Sequence, residues 1–188
     1  IESACVCCFN PATGENQTWD VGEKPGLAVP TKRGDLILGT SIGFVRLDLA
    51  SGDLLPIIDP EQDLPNNRFN DGKVDPEGRL WAGTMGVDEA PNVGSLYRLN
   101  RNLSADKLFD QVSVSNGMVW TSDQKTFYYI DSPTRRVDVF DCDMAGGTLS
   151  NRRTAFELPE GMGYPDGMCI DDEGMLWVAL WQGWGVGR

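Results

Sequence analysis

The sequence contains no histidine. A Ser-His-Asp or Cys-His catalytic group is therefore excluded, and a serine or cysteine nucleophile would have no ordinary base beside it. Long apolar runs are also missing, because stretches such as the LIL of residues 36–38 fall far short of the ~20 residues that a membrane-spanning helix needs. We therefore expect no membrane partner.

Basic residues are few relative to acidic ones. There are 16 lysines and arginines against 28 aspartates and glutamates, which gives a formal net charge of -12. The resulting negative field repels phosphate backbones and anionic lipids, so no nucleic-acid partner is expected. Such a field suits cations instead.

The five cysteines are an odd number and are scattered over the chain. They do not form the dense, even framework of a disulfide-rich secreted domain, and they predict a reducing, cytoplasmic location. In a strand, Cys5 and Cys7 of the cluster CVCC would share one face and Cys8 would take the other. With no histidine and no second cysteine pair, we expect buried thiols in preference to a zinc site.

A repeat of 45 to 50 residues runs through the chain. Four segments align on a shared glycine, at Gly26, Gly72, Gly117 and Gly167. Each reads as a strand, a tight turn (KRGD, PEGR, SDQK or DEGM) and a second strand, and three of the four continue into another pair of strands.

Repeats of this length with four strands each are typical of the blades of a β-propeller. Glycine, proline, aspartate and asparagine interrupt every apolar run, so no amphipathic helix is expected and the fold class is all-β. A β-sandwich is the rival interpretation. The two ends resemble half repeats, so we expect residues 1–188 to form a single, incomplete propeller domain of about four blades.

Three blocks, in order, carry a more specific resemblance. They are NNRFNDGKVDPEGRLWAGTM, SNGMVWTSDQKTFYYIDSPTRRVDVFDCD followed by SNRR, and PDGMCIDDEGMLWVALW. Together they closely resemble the senescence marker protein/gluconolactonase/regucalcin family, from about Val6 to Arg188. The resemblance implies a six-bladed propeller with one divalent metal ion (Ca²⁺, Zn²⁺, Mn²⁺ or Mg²⁺) that hydrolyses sugar-acid lactones.

The same resemblance implies a site. Asn116 and Asp166 match metal ligands of the family, and Asp166 is also the best candidate for the catalytic carboxylate. Arg68 and Asn70 match substrate-contacting positions, with Asp71 beside them.

Two parts of the family's site have no exact match in this sequence. A segment that follows GTM in the family contributes a carboxylate, and here it is shortened, so that Asp88 and Glu89 are only loose substrate-binding candidates. A third metal ligand, a glutamate near the family's N-terminus, has no counterpart, because Glu2 aligns downstream of that motif.

The repeats explain why these residues would act together. Alignment places the Asn-Asp of residues 70–71, Asn116 and Asp166 at equivalent positions, just before the first strand of successive blades. Inner strands line the channel of a propeller, so these oxygens would converge at one mouth of it and suit a hard cation.

Simpler interpretations remain open. Asn-Asp-Gly, Asn-Gly and Pro-Asp-Gly are ordinary turn chemistry, and the aromatic residues Trp81, Tyr129 and Trp177, with Tyr128, Trp181 and Trp184, suit packing between blades. Two other functions also remain: a calcium-binding regulator without turnover, and a propeller that serves only as an interaction scaffold.

Overall fold

The computed structural model describes residues 3–188 and is built from β-strands. Within these residues it contains no α-helix, and one short 3-10 turn covers Ser132–Thr134. This confirms the all-β prediction. None of the described residues belongs to a helix that is long and apolar enough to cross a membrane.

In residues 3–188, seventeen strands form five antiparallel sheets. A two-stranded sheet comes first, with β1 (Cys5–Phe9) and β2 (Asn16–Asp20). Blade 1 contains β3 (Leu27–Pro30), β4 (Leu36–Thr40), β5 (Gly43–Leu47) and β6 (Leu54–Ile58). Blade 2 contains β7 (Asn67–Val74), β8 (Leu80–Gly86), β9 (Gly94–Leu99) and β10 (Ala105–Val112).

Blade 3 contains β11 (Ser115–Trp120), β12 (Thr126–Asp131), β13 (Arg136–Asp143) and β14 (Thr148–Glu157). A three-stranded sheet follows, with β15 (Tyr164–Ile170), β16 (Leu176–Trp181) and β17 (Gly185–Gly187). Neighbours in each sheet are consecutive in the chain, and each of the four predicted tight turns joins the first two strands of its sheet. The strand, turn, strand repeat is confirmed.

The hydrophobic core is divided into layers between successive sheets. Phe44 of blade 1 packs with Phe69 and Tyr97 of blade 2, and Trp81 of blade 2 packs with Trp120 and Phe127 of blade 3. Two further layers join the first sheet to blade 1 and blade 3 to the last sheet. This face-to-face stacking of sheets is the architecture of a β-propeller.

Packing between blades is confirmed for Trp81 and Tyr129, which are fully buried. In the described chain it is wrong for Trp177 and Trp181 of β16 and for Trp184 of the turn that follows, which are 41%, 63% and 97% exposed. These tryptophans follow β15, and in the described chain no further blade packs on the outer side of that sheet.

The prediction of buried thiols is also wrong. Cys7, Cys8 and Cys169 are exposed, and the other two cysteines are only partly buried. The first sheet has two strands and contributes Val6 to a core layer, which leaves its cysteines outside that layer. Cys5 and Cys7 do share a face, with their sulfur atoms 3.9 Å apart.

The repeated glycine has a steric cause at Gly26 and Gly117. The first strands of neighbouring blades run close together, and a Cβ atom on Gly26 would lie 2.2 Å from the carbonyl oxygen of Phe69. A Cβ on Gly117 would lie 2.6 Å from the carbonyl oxygen of Asp166. Because real Cβ contacts are never this short, only glycine allows these strands to approach each other, and they form the inner wall of the propeller.

Candidate functional site

Three β-bulges lie at equivalent places in β7, β11 and β15. The pairing register shifts between Phe69 and Asp71 in β7, between Ser115 and Met118 in β11, and between Pro165 and Met168 in β15. A bulge inserts an unpaired residue and redirects its side chain, and bulges are frequent next to active sites.

The bulges contain the predicted site residues. Asn70 and Asp71 lie at the first, Asn116 at the second and Asp166 at the third. The expectation that these residues precede the strands is therefore wrong, because they lie within them. Turn-like composition inside a strand is explained by the bulge, which needs residues that tolerate an irregular backbone.

Hydrogen bonds join the amide side chains of neighbouring blades. Asn70 Nδ2 donates to the carbonyl oxygen of Ser115 at 2.8 Å and to Asn116 Oδ1 at 3.3 Å. Arg68 Nη1 donates to Asn70 Oδ1 at 2.9 Å and to the carbonyl oxygen of Phe69 at 3.0 Å. The structure thus brings Arg68, Asn70 and Asn116 into one connected group.

Two carboxylates lie close to this group. Burial raises the pKa of Asp71, against the Gly72 N–H that donates to its Oδ1 at 2.7 Å, and the negative charge of Asp166 raises it further. Burial also raises the pKa of Asp166, opposed by a hydrogen bond from the Gly167 N–H. Two half-buried negative charges that interact with each other form a site where a cation would be stabilised.

The remaining candidates lie elsewhere or outside the described chain. Asp88 is exposed in the connection between β8 and β9, where its Oδ1 accepts from the Ala90 N–H at 3.2 Å, and Glu89 is exposed in the same turn. Glu2 lies outside the described residues. The structure therefore places Arg68, Asn70, Asp71, Asn116 and Asp166 in neighbouring inner strands and locates the other two candidates, Asp88 and Glu89, on the surface.

The donor set fits a hard divalent cation. Asn116 and Asp166 offer amide and carboxylate oxygens, with the Asp71 carboxylate nearby, and such ligands suit Ca²⁺, Mg²⁺ or Mn²⁺. Residues 3–188 contain no group of three or more histidine, cysteine, aspartate or glutamate side chains arranged to hold a metal ion.

Two residues at the site gave no sequence signal. Ser132, in the 3-10 turn after β12, contacts both Asn116 and the backbone of Pro165. Lys73 extends from β7 to β15, where its Nζ donates to the carbonyl oxygen of Met168 at 3.2 Å. Both contacts join residues that are far apart in sequence, so only the packing of the blades reveals them.

The fold and the site together define a class: a β-propeller whose inner strands present amide and carboxylate oxygens from three consecutive sheets. The family described as "SMP-30/Gluconolactonase/LRE-like region" matches residues 1–188. The chain belongs to this family.

Individual relatives agree with this assignment. Regucalcin from Xenopus laevis is 45% identical over 183 residues, which cover 95% of this chain and 61% of that protein. The structure of a luciferin-regenerating enzyme superimposes with a TM-score of 0.92 at 33% identity, covering 98% of this chain and 64% of the other. A calcium-binding protein, regucalcin from Agrobacterium tumefaciens, gives a TM-score of 0.90 at 27% identity over 96% of this chain and 61% of the other.

The chain thus spans about three fifths of the length of these relatives.

Proposed function

We propose that this chain is part of a divalent-metal-dependent hydrolase of sugar-acid lactones. The observation that carries the proposal is the placement of Asn70 and Asp71, Asn116 and Asp166 at equivalent bulges of three consecutive inner strands. Membership of a family that includes gluconolactonases supports the reaction class.

The site residues would have separate roles in metal and substrate binding. Asn116 and Asp166 would hold the metal ion, which when bound supplies positive charge to polarise the lactone carbonyl. Arg68 would donate hydrogen bonds to oxygens of the substrate, and Asn70, whose Nδ2 group donates to Ser115 and Asn116, would hold the Arg68 guanidinium through its Oδ1.

Asp166 is the candidate base. Its carboxylate lies at the bulge of the inner strand β15 and interacts with the Asp71 carboxylate, a position from which it could accept a proton from water. Water adds to the carbonyl carbon, Asp166 accepts the proton of that water, and the proton passes to the ring oxygen as the ring C–O bond breaks. The product is the open-chain sugar acid.

The first test is hydrolysis of gluconolactone, followed with a pH indicator, in EDTA or with added Ca²⁺, Mn²⁺ or Zn²⁺. It compares this chain with a version extended to the length of its relatives. We expect metal-dependent turnover in the extended version and its loss, by about 100-fold or more in kcat, in Asp166→Asn. Asp172→Asn, at an exposed neighbouring acid, is the matched control and should keep its activity.

Turnover that is unchanged in Asp166→Asn would refute the assignment of the base. Absence of turnover with every metal would refute the lactonase.

A second candidate is calcium binding without turnover. The all-oxygen donor set favours it, and one structural relative is described as a calcium-binding protein. Calorimetry distinguishes the two functions: stoichiometric Ca²⁺ binding with no lactone hydrolysis under any metal would support the regulator.

A further inference from the structure

A chain of hydrogen bonds crosses three sheets at the candidate site. Asn116 Nδ2 donates to Ser132 Oγ at 2.8 Å, and Ser132 Oγ donates to the carbonyl oxygen of Pro165 at 2.6 Å. Upstream, Arg68 donates to Asn70, and Asn70 donates to Asn116. Every donor in this chain points in the same direction, from β7 through β11 to β15.

The donor-to-acceptor direction of these hydrogen bonds is fixed at the Pro165 end. A backbone carbonyl can only accept a hydrogen bond, so Ser132 must use its single hydroxyl hydrogen there. Toward Asn116 the serine oxygen can then only accept. Asn116 is therefore required to present its Nδ2 group to Ser132, which turns Oδ1 to the opposite side.

The same donor-to-acceptor direction is fixed independently at the Asn70 end. The carbonyl oxygen of Ser115 is also only an acceptor, so Asn70 must direct its Nδ2 group there and toward Asn116 Oδ1. Both constraints select the same orientation of the Asn116 amide. Asn116 and Ser132 are 9% and 8% exposed, so water competes little for these hydrogen bonds.

We propose that Ser132 is a positioning residue that holds the Asn116 amide with Oδ1 turned toward Asn70, where the second lone pair of that oxygen can ligate a metal ion. The second bond of Ser132, to Pro165, also links Asn116 to the residue that immediately precedes Asp166. One hydroxyl thus links a proposed ligand of one sheet to the backbone beside a proposed ligand of the next. The expected effect on metal binding rests on the proposed function, whereas the orientation of the Asn116 amide does not depend on it.

The test uses the protein extended to the length of its relatives, in four forms: wild type, Ser132→Ala, Ser132→Thr and Thr134→Ala. Thr134 is the matched control, because it lies in the same 3-10 turn and its Oγ1 donates to the carbonyl oxygen of Asp131 at 2.7 Å. Thr134→Ala therefore removes one hydroxyl-to-backbone bond nearby without touching Asn116.

The first readout needs no metal. Hydrogen exchange of the Asn116 side-chain NH₂ group, followed by NMR in EDTA, should be at least about 10-fold faster in Ser132→Ala than in wild type. Ser132→Thr, which keeps the hydroxyl, and Thr134→Ala should remain within about 2-fold of wild type. Unchanged protection in Ser132→Ala, or an equal loss in Thr134→Ala, would overturn the proposal.

The second readout is the Kd for Ca²⁺ and Mn²⁺ by calorimetry. Removal of a group that orients a metal ligand commonly weakens affinity by about 10 to 100-fold, and we expect a change of this size in Ser132→Ala alone. A purely structural role would lower Tm and leave Kd unchanged, which would contradict the proposal. If wild type binds neither ion while Ser132→Ala still frees the amide, the positioning role stands and the proposed metal-dependent function fails.

Discussion

At the scale of single residues, the site combines groups whose ionised forms are unfavourable without a partner. Asp71 and Asp166 both have a raised pKa, because burial disfavours their charged forms and, for Asp71, the charge of Asp166 adds to the effect. A folded-state pKa above the unfolded value means that the folded protein binds more protons than the unfolded chain between the two values. These carboxylates therefore reduce stability as the pH rises through that interval.

Asp166→Asn should raise Tm at pH 7 in EDTA. It removes one of the two interacting charges and preserves the size of the side chain, so we expect a gain of about 2 °C, or about 0.5 kcal/mol after allowance for solvent screening. Calorimetric scans from pH 4 to 7 would measure it, and the gain should shrink toward pH 4. A lower Tm at pH 7 would show that Asp166 is stabilising as an anion.

At the scale of elements, one turn motif recurs between the first two strands of a sheet. In blade 2, Asp75 accepts from the Arg79 N–H at 2.9 Å and from Trp81 Nε1 at 2.8 Å. In the last sheet, Asp171 accepts from the Met175 N–H at 2.9 Å and from Trp177 Nε1 at 2.8 Å. The same aspartate thus closes the turn and anchors the tryptophan of the following strand.

Asp171→Asn should lower Tm at pH 7. Hydrogen bonds from Trp177 and the Met175 N–H, with Arg188 nearby, lower the pKa of Asp171 to about 2. A lowered pKa gives stability that is present above the unfolded value of about 3.9 and is lost as the pH falls toward the folded value. Thermal scans should therefore show the variant approaching wild type below about pH 4, and a pH-independent difference would contradict the ionic explanation.

Gly117→Ala should destabilise the protein. An added Cβ would lie 2.6 Å from both the Asp166 carbonyl oxygen and the Met168 Cβ, so the inner strands β11 and β15 must separate, at a cost of about 1–3 kcal/mol. Gly167→Ala is the control, since a Cβ there meets no atom within 4 Å. Denaturant unfolding of the 188-residue chain should show a lower midpoint for the first variant only; equal losses would refute the steric explanation.

At the scale of the whole molecule, the core is a series of layers between sheets. Each layer needs a sheet on both sides, and this explains the contrast between fully buried Trp81 and Trp181, which is 63% exposed. Trp177 and Trp181 lie on the side of β16 opposite buried Val178. This outer face of the last sheet is apolar, and the relatives are longer than this chain.

Extension of the chain to the length of its relatives should cover that face. We expect acrylamide quenching of Trp181 fluorescence, isolated by comparison with Trp181→Phe, to fall by about 2-fold or more, because burial excludes the quencher. Sedimentation should also show less self-association, since large exposed apolar patches promote it. Quenching that does not change on extension would show that the added segments pack elsewhere.

The sequence alone determined the repeat and therefore the sheets. Period-2 apolar patterns and turn residues act over a few neighbours, so four predicted turns, the all-β class and the four-stranded blades follow from local physics. The repeated glycines and the Asn and Asp residues beside them also marked the site, although the pattern did not distinguish a turn from a bulge.

Tertiary structure decided which of these residues meet. The link from Asn116 through Ser132 to Pro165, and the interaction of Asp71 with Asp166, join strands of different sheets. It also decided that the cysteines of the first sheet lie outside the core layer. The physical reason is that exposure and long-range contacts depend on how the sheets stack. No local sequence pattern specifies which sheet will pack against a given face.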